Sequence, residues 1–459
     1  MRTNNLALLF PMFFIIFSSS LYSQDLVIGK DQRFITKKDK SPFFYLGDTA
    51  WELFHRLDQS EADMYLENRA AKGFNVIQAV VLAELDGIIV ANPYGELPLI
   101  DQDPESPNLK YFEHVDYIVN KAGSLGMMIG MLPTWGDKYN KKWGVGPEIF
   151  TPKNAFEFGK FLGTRYKDDP IIWILGGDRN PDNEEDFAII KAMVRGIEVG
   201  DKGSHLMTYH PQGGSNSSEW FHNEDWLDFN FFQSGHGPRD LPNYEFTIKN
   251  YELNPVKPTI DGEPRYEDHP VRFNPMAYGW FDDFDVRQAG YWSMFSGSCG
   301  HTYGNHNIWQ MWQEDRKAVS WARTNWRRAL DHSGAYQMGY MRSFFEAYPW
   351  QKMVPDQKLI LNFNPKSGAY QVALLSLNKD IVFVYSPYGY PVKIDISSLK
   401  PEKFNAFWFN PRDGEYMFIR SLDKSYNKEF EPHSMGRGSD WVLIIQDASI
   451  TYNDFTKVN

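Results

Sequence analysis

The sequence predicts a (β/α)8 barrel followed by a small all-β domain, and three observations carry that expectation. Short apolar runs alternate with amphipathic stretches eight times between about residue 43 and residue 348. After Pro349 the texture changes to short β-rich runs separated by turn signals. The 459 residues exceed one ordinary core unless that core is a barrel of about 250 residues or more.

The strands are read at Phe43 to Leu46, Val76 to Leu82, Met127 to Leu132, Ile171 to Leu175, Leu206 to Tyr209, Leu227 to Phe232, from Thr259, and His301 to Tyr303. Helices are expected over Ser60 to Lys72, with Ser60 as N-cap and Gly73 as terminator, then Tyr111 to Ala122, Ala155 to Tyr166, Glu184 to Val199, Tyr244 to Tyr251 and Val286 to Phe295. A closing helical segment spans Asn325 to Tyr348. Leu359 to Asn364, Ala369 to Leu377, Asp380 to Tyr385, Val392 to Ile396, Phe404 to Phe409 and Trp441 to Ile445 read as strands of a β-sandwich. A doubly wound sheet is the alternative, but no glycine-rich dinucleotide fingerprint follows the first strand.

Residues 1–23 have the plan of a cleavable secretory signal: Arg2, the apolar run Leu6 to Phe17, then small residues ending at Ser23. The run is short for a membrane span, so the mature chain is expected to be secreted or periplasmic, as in a bacterium, with no stable membrane span. The expected domains are therefore 24–350, the barrel, and 351–459, the β domain. Cys299 is the only cysteine, so packing rather than a disulfide must hold the fold. The formal net charge of −12 argues against nucleic acid as a partner. The 15 Trp, 25 Tyr and 34 Phe suit either carbohydrate, because aromatic faces stack on the C–H faces of sugars, or the filling of a large core.

In a barrel the site lies at the C-terminal ends of the strands. In order, those ends offer Asp48 and Trp51, Glu84, Trp135, Asp178-Arg179-Asn180, His210 and Gln212, Gln233 and His236, Glu263 with Arg265, and Tyr303, Asn305 and His306. The apolar strand Ile171 to Leu175 stops at Gly176-Gly177-Asp178, and Lys257-Pro258-Thr259-Ile260 leads to Asp261-Gly262-Glu263-Pro264. Two carboxyl groups at the ends of two strands of one barrel suit glycoside hydrolysis. One protonates the leaving oxygen, and the other stays ionised to attack the anomeric carbon or activate water. Each could instead be structural, Asp178 capping a helix and Glu263 pairing with Arg265 or Arg179. His210, His301 and His306 match no zinc-ligand spacing, so neither a metal nor another cofactor is expected.

This arrangement resembles the apiosidase-like glycoside hydrolases, family 140. The stretches that carry the likeness are Phe44-Tyr45-Leu46-Gly47-Asp48-Thr49-Ala50-Trp51, Gly176 to Asn180, Asp261 to Pro264, Gly300-His301-Thr302-Tyr303-Gly304, and Phe407 to Gly414 in the β domain. The resemblance implies a retaining mechanism with Asp178 as acid/base after strand four and Glu263 as nucleophile after strand seven. The broader superfamily usually has Asn-Glu where this chain has Gly177-Asp178. The implied substrate is apiose linked to galacturonate in side chains of the plant pectin rhamnogalacturonan II. A polyanion approaching a −12 protein needs local cations, for which Arg179 and Arg265, then Arg239 and Arg272, are the candidates. Asp48, Trp51, Trp135, Asn180, His210, Gln233, His236 and Tyr303 complete the expected substrate-binding set. Other readings are a glycosidase of this barrel type on another plant glycan, a non-catalytic carbohydrate-binding protein, and a metal-dependent hydrolase.

Overall fold

A computed structural model describes residues 26–426 and 429–452. The expected signal segment lies outside the described residues, and no described helix is long and apolar enough to cross a membrane.

Eight parallel strands form the barrel: β1 (Tyr45–Thr49), β2 (Val76–Leu82), β3 (Met128–Thr134), β4 (Ile171–Gly176), β5 (Met207–His210), β6 (Asn230–Gln233), β7 (Thr259–Asp261) and β8 (Gly300–Tyr303). They are hydrogen-bonded in the order β5-β4-β3-β2-β1-β8-β7-β6, as the sequence predicts for this fold. The β5–β6 seam closes outside the ladder. There the Asp228 N–H donates to Met207 O at 2.9 Å, and the Thr208 hydroxyl donates to Phe229 O at 2.6 Å. Residues 227–229, expected to begin β6, make this closure instead. A short antiparallel strand, Ser215–Asn216, pairs with β6 on its other side.

Every residue of β2, β3 and β4 is buried, because each strand is covered on both faces. Alternate side chains divide between two clusters. Val76, Val80, Met128, Leu132, Ile172 and Ile174 share one, while Ile77, Val81, Ile129, Met131, Trp173 and Leu175 pack in the other, with helix residues such as Leu66, Phe112 and Phe158. The inner layer has no spare room: a Cβ on Gly130 would lie 2.9 Å from Ile174 Cδ1.

The main helices are α1 (Gln59–Ala71), α2 (Leu109–Ser124), α3 (Pro152–Arg165), α4 (Glu184–Asp201), α5 (Asn243–Tyr251), α6 (Asp283–Phe295) and α7 (Ser333–Glu346). The cap of α1 is Asp58 rather than the expected Ser60. Its side chain accepts the Glu61 N–H at 2.8 Å while Glu61 Oε2 accepts the Asp58 N–H at 3.1 Å, closing a capping box.

The C-terminal domain is one antiparallel sheet of six strands: β9 (Met353–Pro355), β10 (Val372–Ser376), β11 (Ile381–Ser386), β12 (Lys403–Phe409), β13 (Tyr416–Asp423) and β14 (Trp441–Asp447), in the order β9-β10-β11-β14-β12-β13. One face, with Leu374, Phe383, Tyr385 and Ile444, packs in the same core cluster as Phe344 and Phe345 of α7. The other face is covered by Leu359, Ile394, Ile396 and Phe430. The stretches expected as strands at Leu359 to Asn364 and Val392 to Ile396 supply this cover, forming the isolated bridges Ile360–Ile394 and Val392–Phe430 rather than ladders.

Candidate active site

A cleft of about 720 Å³ opens at the C-terminal end of the barrel, within the usual size range of small-molecule sites. Asp178 and Glu263 both line it. Asp178 follows two glycines, and all three residues have left-handed backbone, at φ +93°, +95° and +54°. At Gly176 a Cβ would meet His210 O at 2.4 Å, and at Gly177 one would meet Trp135 Cα at 3.0 Å. The pair therefore turns β4 tightly against β5 and the end of β3, which puts Asp178 at the cleft.

His210, fully buried at the end of β5, stands between the Asp178 backbone and the Glu263 carboxylate. The Asp178 N–H donates to His210 Nδ1 at 3.1 Å, which assigns the ring proton to Nε2. Nε2 lies 2.9 Å from Glu263 Oε2 but off a hydrogen-bond axis, making a close polar contact. His236 Nε2 lies 3.0 Å from Glu263 Oε1 in hydrogen-bond geometry. Burial pushes the Glu263 carboxyl up, but the two imidazoles outweigh it and bring the pKa down to about 2. Asp178 is pushed the other way, to about 6, by burial first and the Glu263 charge second, against the opposing pull of Arg179, His210 and Trp143. One cleft thus holds an ionised carboxylate and a carboxyl group that stays protonated into the mildly acidic range.

A third carboxyl, Glu84 beyond β2, lines the same cleft. Burial, then the charges of Asp178, Asp137, Glu52 and Glu263, hold it well above the usual carboxylate range.

Of the other expected residues, Trp51, Trp135, Gln233 and His236 line the cleft. Trp51 and Trp135 are 5.3 Å apart, and the Trp51 indole N–H donates to the Tyr266 hydroxyl at 3.1 Å. Gln233 Oε1 is buried without a hydrogen-bond partner. Asn180 stands behind the cleft wall, where its Oδ1 accepts the Gln212 N–H at 2.9 Å and its Nδ2 donates to Ser215 Oγ at 3.1 Å.

Asp48 and Tyr303 do not reach the cleft, and strand parity explains why. They are register partners on β1 and β8, one position beyond Gly47 and Thr302. A Cβ on Gly47 would sit 3.0 Å from Thr302 Oγ1 and 3.3 Å from Gln78 Nε2, so that row faces inward and the next row faces the helices. Asp48 accepts from Arg69 Nε at 2.5 Å and the Tyr65 hydroxyl at 2.6 Å, both from α1. The Tyr303 hydroxyl donates to Glu267 Oε2 at 2.5 Å.

Three of the four arginines expected to meet a uronate are held by protein groups, Arg179 among them by a 3.3 Å ion pair with Asp178 itself. Arg179 is buried and donates to Asn140 O at 2.8 Å and Lys141 O at 3.0 Å. Arg265 is buried against Gln288 and the Arg239 carbonyl. Arg239 pairs with Asp285 at 2.5 Å. Arg272 is exposed, next in sequence to the cleft residue Phe273. Sequence reasoning did not select Trp143, Tyr266, His269, Phe273 or Trp309 for the cleft, all of which line it. An aromatic residue between lysine and glycine in a long loop, as at Lys142-Trp143-Gly144, was the available signal for the first.

Among the described residues, one group has the proximity of metal ligands: Glu52, His55 and Asp86. Arg56 lies 3.4 Å from both carboxylates and already supplies a positive charge there.

Comparison with known proteins adds the following. The family model of apiosidase-like catalytic domains matches residues 29–352, and that of a putative collagen-binding domain of a collagenase matches 354–446. A glycoside hydrolase described as family 5, from Bacteroides vulgatus ATCC 8482, is 33% identical with a TM-score of 0.86 over 94% of this chain and 95% of that one. A second structure, described as a glycoside hydrolase, is 34% identical with a TM-score of 0.85 over 94% of this chain and 98% of that one. A putative glycoside hydrolase from Bacteroides vulgatus ATCC 8482, 13% identical with a TM-score of 0.67 over 94% of this chain and 84% of that one, shares the fold. No curated protein matches the chain.

Proposed function

Since the chain belongs to the family of apiosidase-like catalytic domains and is a glycoside hydrolase, we propose that it is a retaining enzyme releasing apiose from galacturonate in pectic side chains of the rhamnogalacturonan II type. The observation that carries this reading is the opposed state of two carboxyl groups in one cleft, Glu263 brought down to about 2 and Asp178 pushed up to about 6. Asp178 gives its proton to the oxygen of the departing sugar while Glu263 attacks the anomeric carbon. The glycosidic C–O bond breaks and an ester to Glu263 forms. Asp178, now a carboxylate, takes a proton from water as that water attacks the same carbon, and Glu263 leaves. The apiose unit rests on the indole floor of Trp51 and Trp135, and the leader-like residues 1–23 support a secreted or periplasmic location.

The test is release of apiose from an apiose-bearing pectic oligosaccharide, with the anomer first formed followed by proton NMR. The wild type is expected to release apiose with retention, and Asp178→Ala and Glu263→Ala to lose at least about 1,000-fold in kcat. Inversion would reject the double displacement. Binding without release by well-folded wild type would favour a carbohydrate-binding role, and release of a different sugar would move the substrate to another plant glycan.

A further inference from the structure

Trp143 is 58% exposed, lines the cleft and donates its indole N–H to Asp178 Oδ2 at 3.3 Å. A large ring exposed to that degree on a long loop is ordinarily free to move, yet this one is fixed from beneath. The Arg179 guanidinium lies 4.2 Å from the ring centroid, while the same side chain holds Asn140 O and Lys141 O. Asp137, fully buried, accepts the Gly146 N–H at 2.8 Å on the far side of the tryptophan. Between them Gly144 lets the loop lie flat, since a Cβ there would stand 2.3 Å from Asp137 Cβ and 2.8 Å from Arg179 Nη2. Buried Arg179, expected from the sequence to meet substrate, is thus the staple that seats Trp143 against Asp178.

Chemistry assigns the side of the scissile bond. A general acid must touch the departing oxygen, so a ring bonded to that acid lies on the leaving-group side. Trp51 and Trp135, only 1% and 3% exposed, form the floor instead. We propose that Trp143 is the leaving-group platform, its indole face taking the C–H face of the departing sugar while its N–H orients the Asp178 carboxyl. The proposal rests on the assignment of Asp178 as the acid and deepens it: the residue that recognises the leaving sugar also aims the proton at it.

The test uses the full chain with Trp143→Ala and Trp143→Phe, and two probes sharing one glycosyl unit, an apiosyl–galacturonate disaccharide and apiosyl fluoride. Fluoride departs with little acid assistance and has no ring to stack. Trp143→Ala is expected to lower kcat/KM on the disaccharide by about 100-fold, mostly through KM, and on the fluoride by less than about 3-fold. Trp143→Phe keeps the face and loses the donor. It is expected to recover disaccharide turnover to within about 5-fold of wild type. Its alkaline limb of kcat/KM moves to higher pH, because a bond favouring the Asp178 carboxylate is gone. Equal losses on both probes, no loss on either, or an unmoved alkaline limb in Trp143→Phe would overturn the proposal. A wild type that cleaves neither probe would reject the apioside reading beneath it. A wild type that cleaves the fluoride alone would keep that glycosyl specificity and reject the galacturonate side.

Discussion

Asp178 and Glu263 differ by one methylene, and their surroundings separate them further than that difference does. Two imidazoles face Glu263, whereas Asp178 has burial and the Glu263 charge working against its ionisation. The sign of the pH dependence follows. The acid form of Asp178 is filled below about 6 and empties above it, while Glu263 is ionised above about 2. The profile of kcat/KM is therefore expected to fall on the alkaline side from near pH 6, by about tenfold per pH unit thereafter. Glu263→Gln removes the neighbouring negative charge and should lower the Asp178 pKa, read by carboxyl-carbon NMR; an unchanged value would detach the two groups. Glu84 does not disturb this scheme, since burial and its acidic neighbours favour its neutral form.

The elements show what the sequence made legible and where it stopped. Full burial of β2 to β4 follows from apolar runs, and the strand-end rule leads to Asp178 and Glu263 at the cleft and to His210 behind them. That rule carries no parity, so it equally selected Asp48 and Tyr303, whose row faces α1 and Glu267. Nor does it say which arginines are buried against carbonyl groups of the protein, as Arg179 and Arg265 are. Strand β13 escaped because most of its side chains are exposed or half-buried at a sheet edge, leaving little apolar signal. The sequence leaves the start of α1 open by two residues because Ser60 and Asp58 are both cap formers, and the reciprocal bonds with Glu61 distinguish them. Asp58→Ala is accordingly expected to cost about 1 kcal/mol, and Ser60→Ala less than about 0.5 kcal/mol, in urea unfolding. Equal costs would remove the capping box from the account.

At the scale of the molecule, the barrel and the β domain share a core rather than merely touching. Tyr291 of α6 stacks on Tyr385 of β11 at 4.8 Å, and Trp292 Nε1 donates to Tyr370 O at 2.9 Å across the boundary. Within this largely apolar joint lies a buried ion pair. Arg287 on α6, 1% exposed, donates to Asp440 at 2.8 Å through Nη2, and Asp440 also accepts from the Tyr385 hydroxyl at 3.3 Å. Such a pair adds little when both charges are replaced by apolar groups of similar size, but losing one partner strands the other without water. Asp440→Leu alone is therefore expected to cost up to about 3 kcal/mol, the low end for a broken buried pair, because Arg287 keeps Asp283 and Gln337 as partners. Arg287→Met together with Asp440→Leu should recover most of that loss, a coupling measurable by a double-mutant cycle in denaturant. The shared core also requires that barrel and β domain unfold in one transition in the wild type. Two separated transitions by tryptophan fluorescence and far-ultraviolet circular dichroism would show that the joint is weaker than its burial implies.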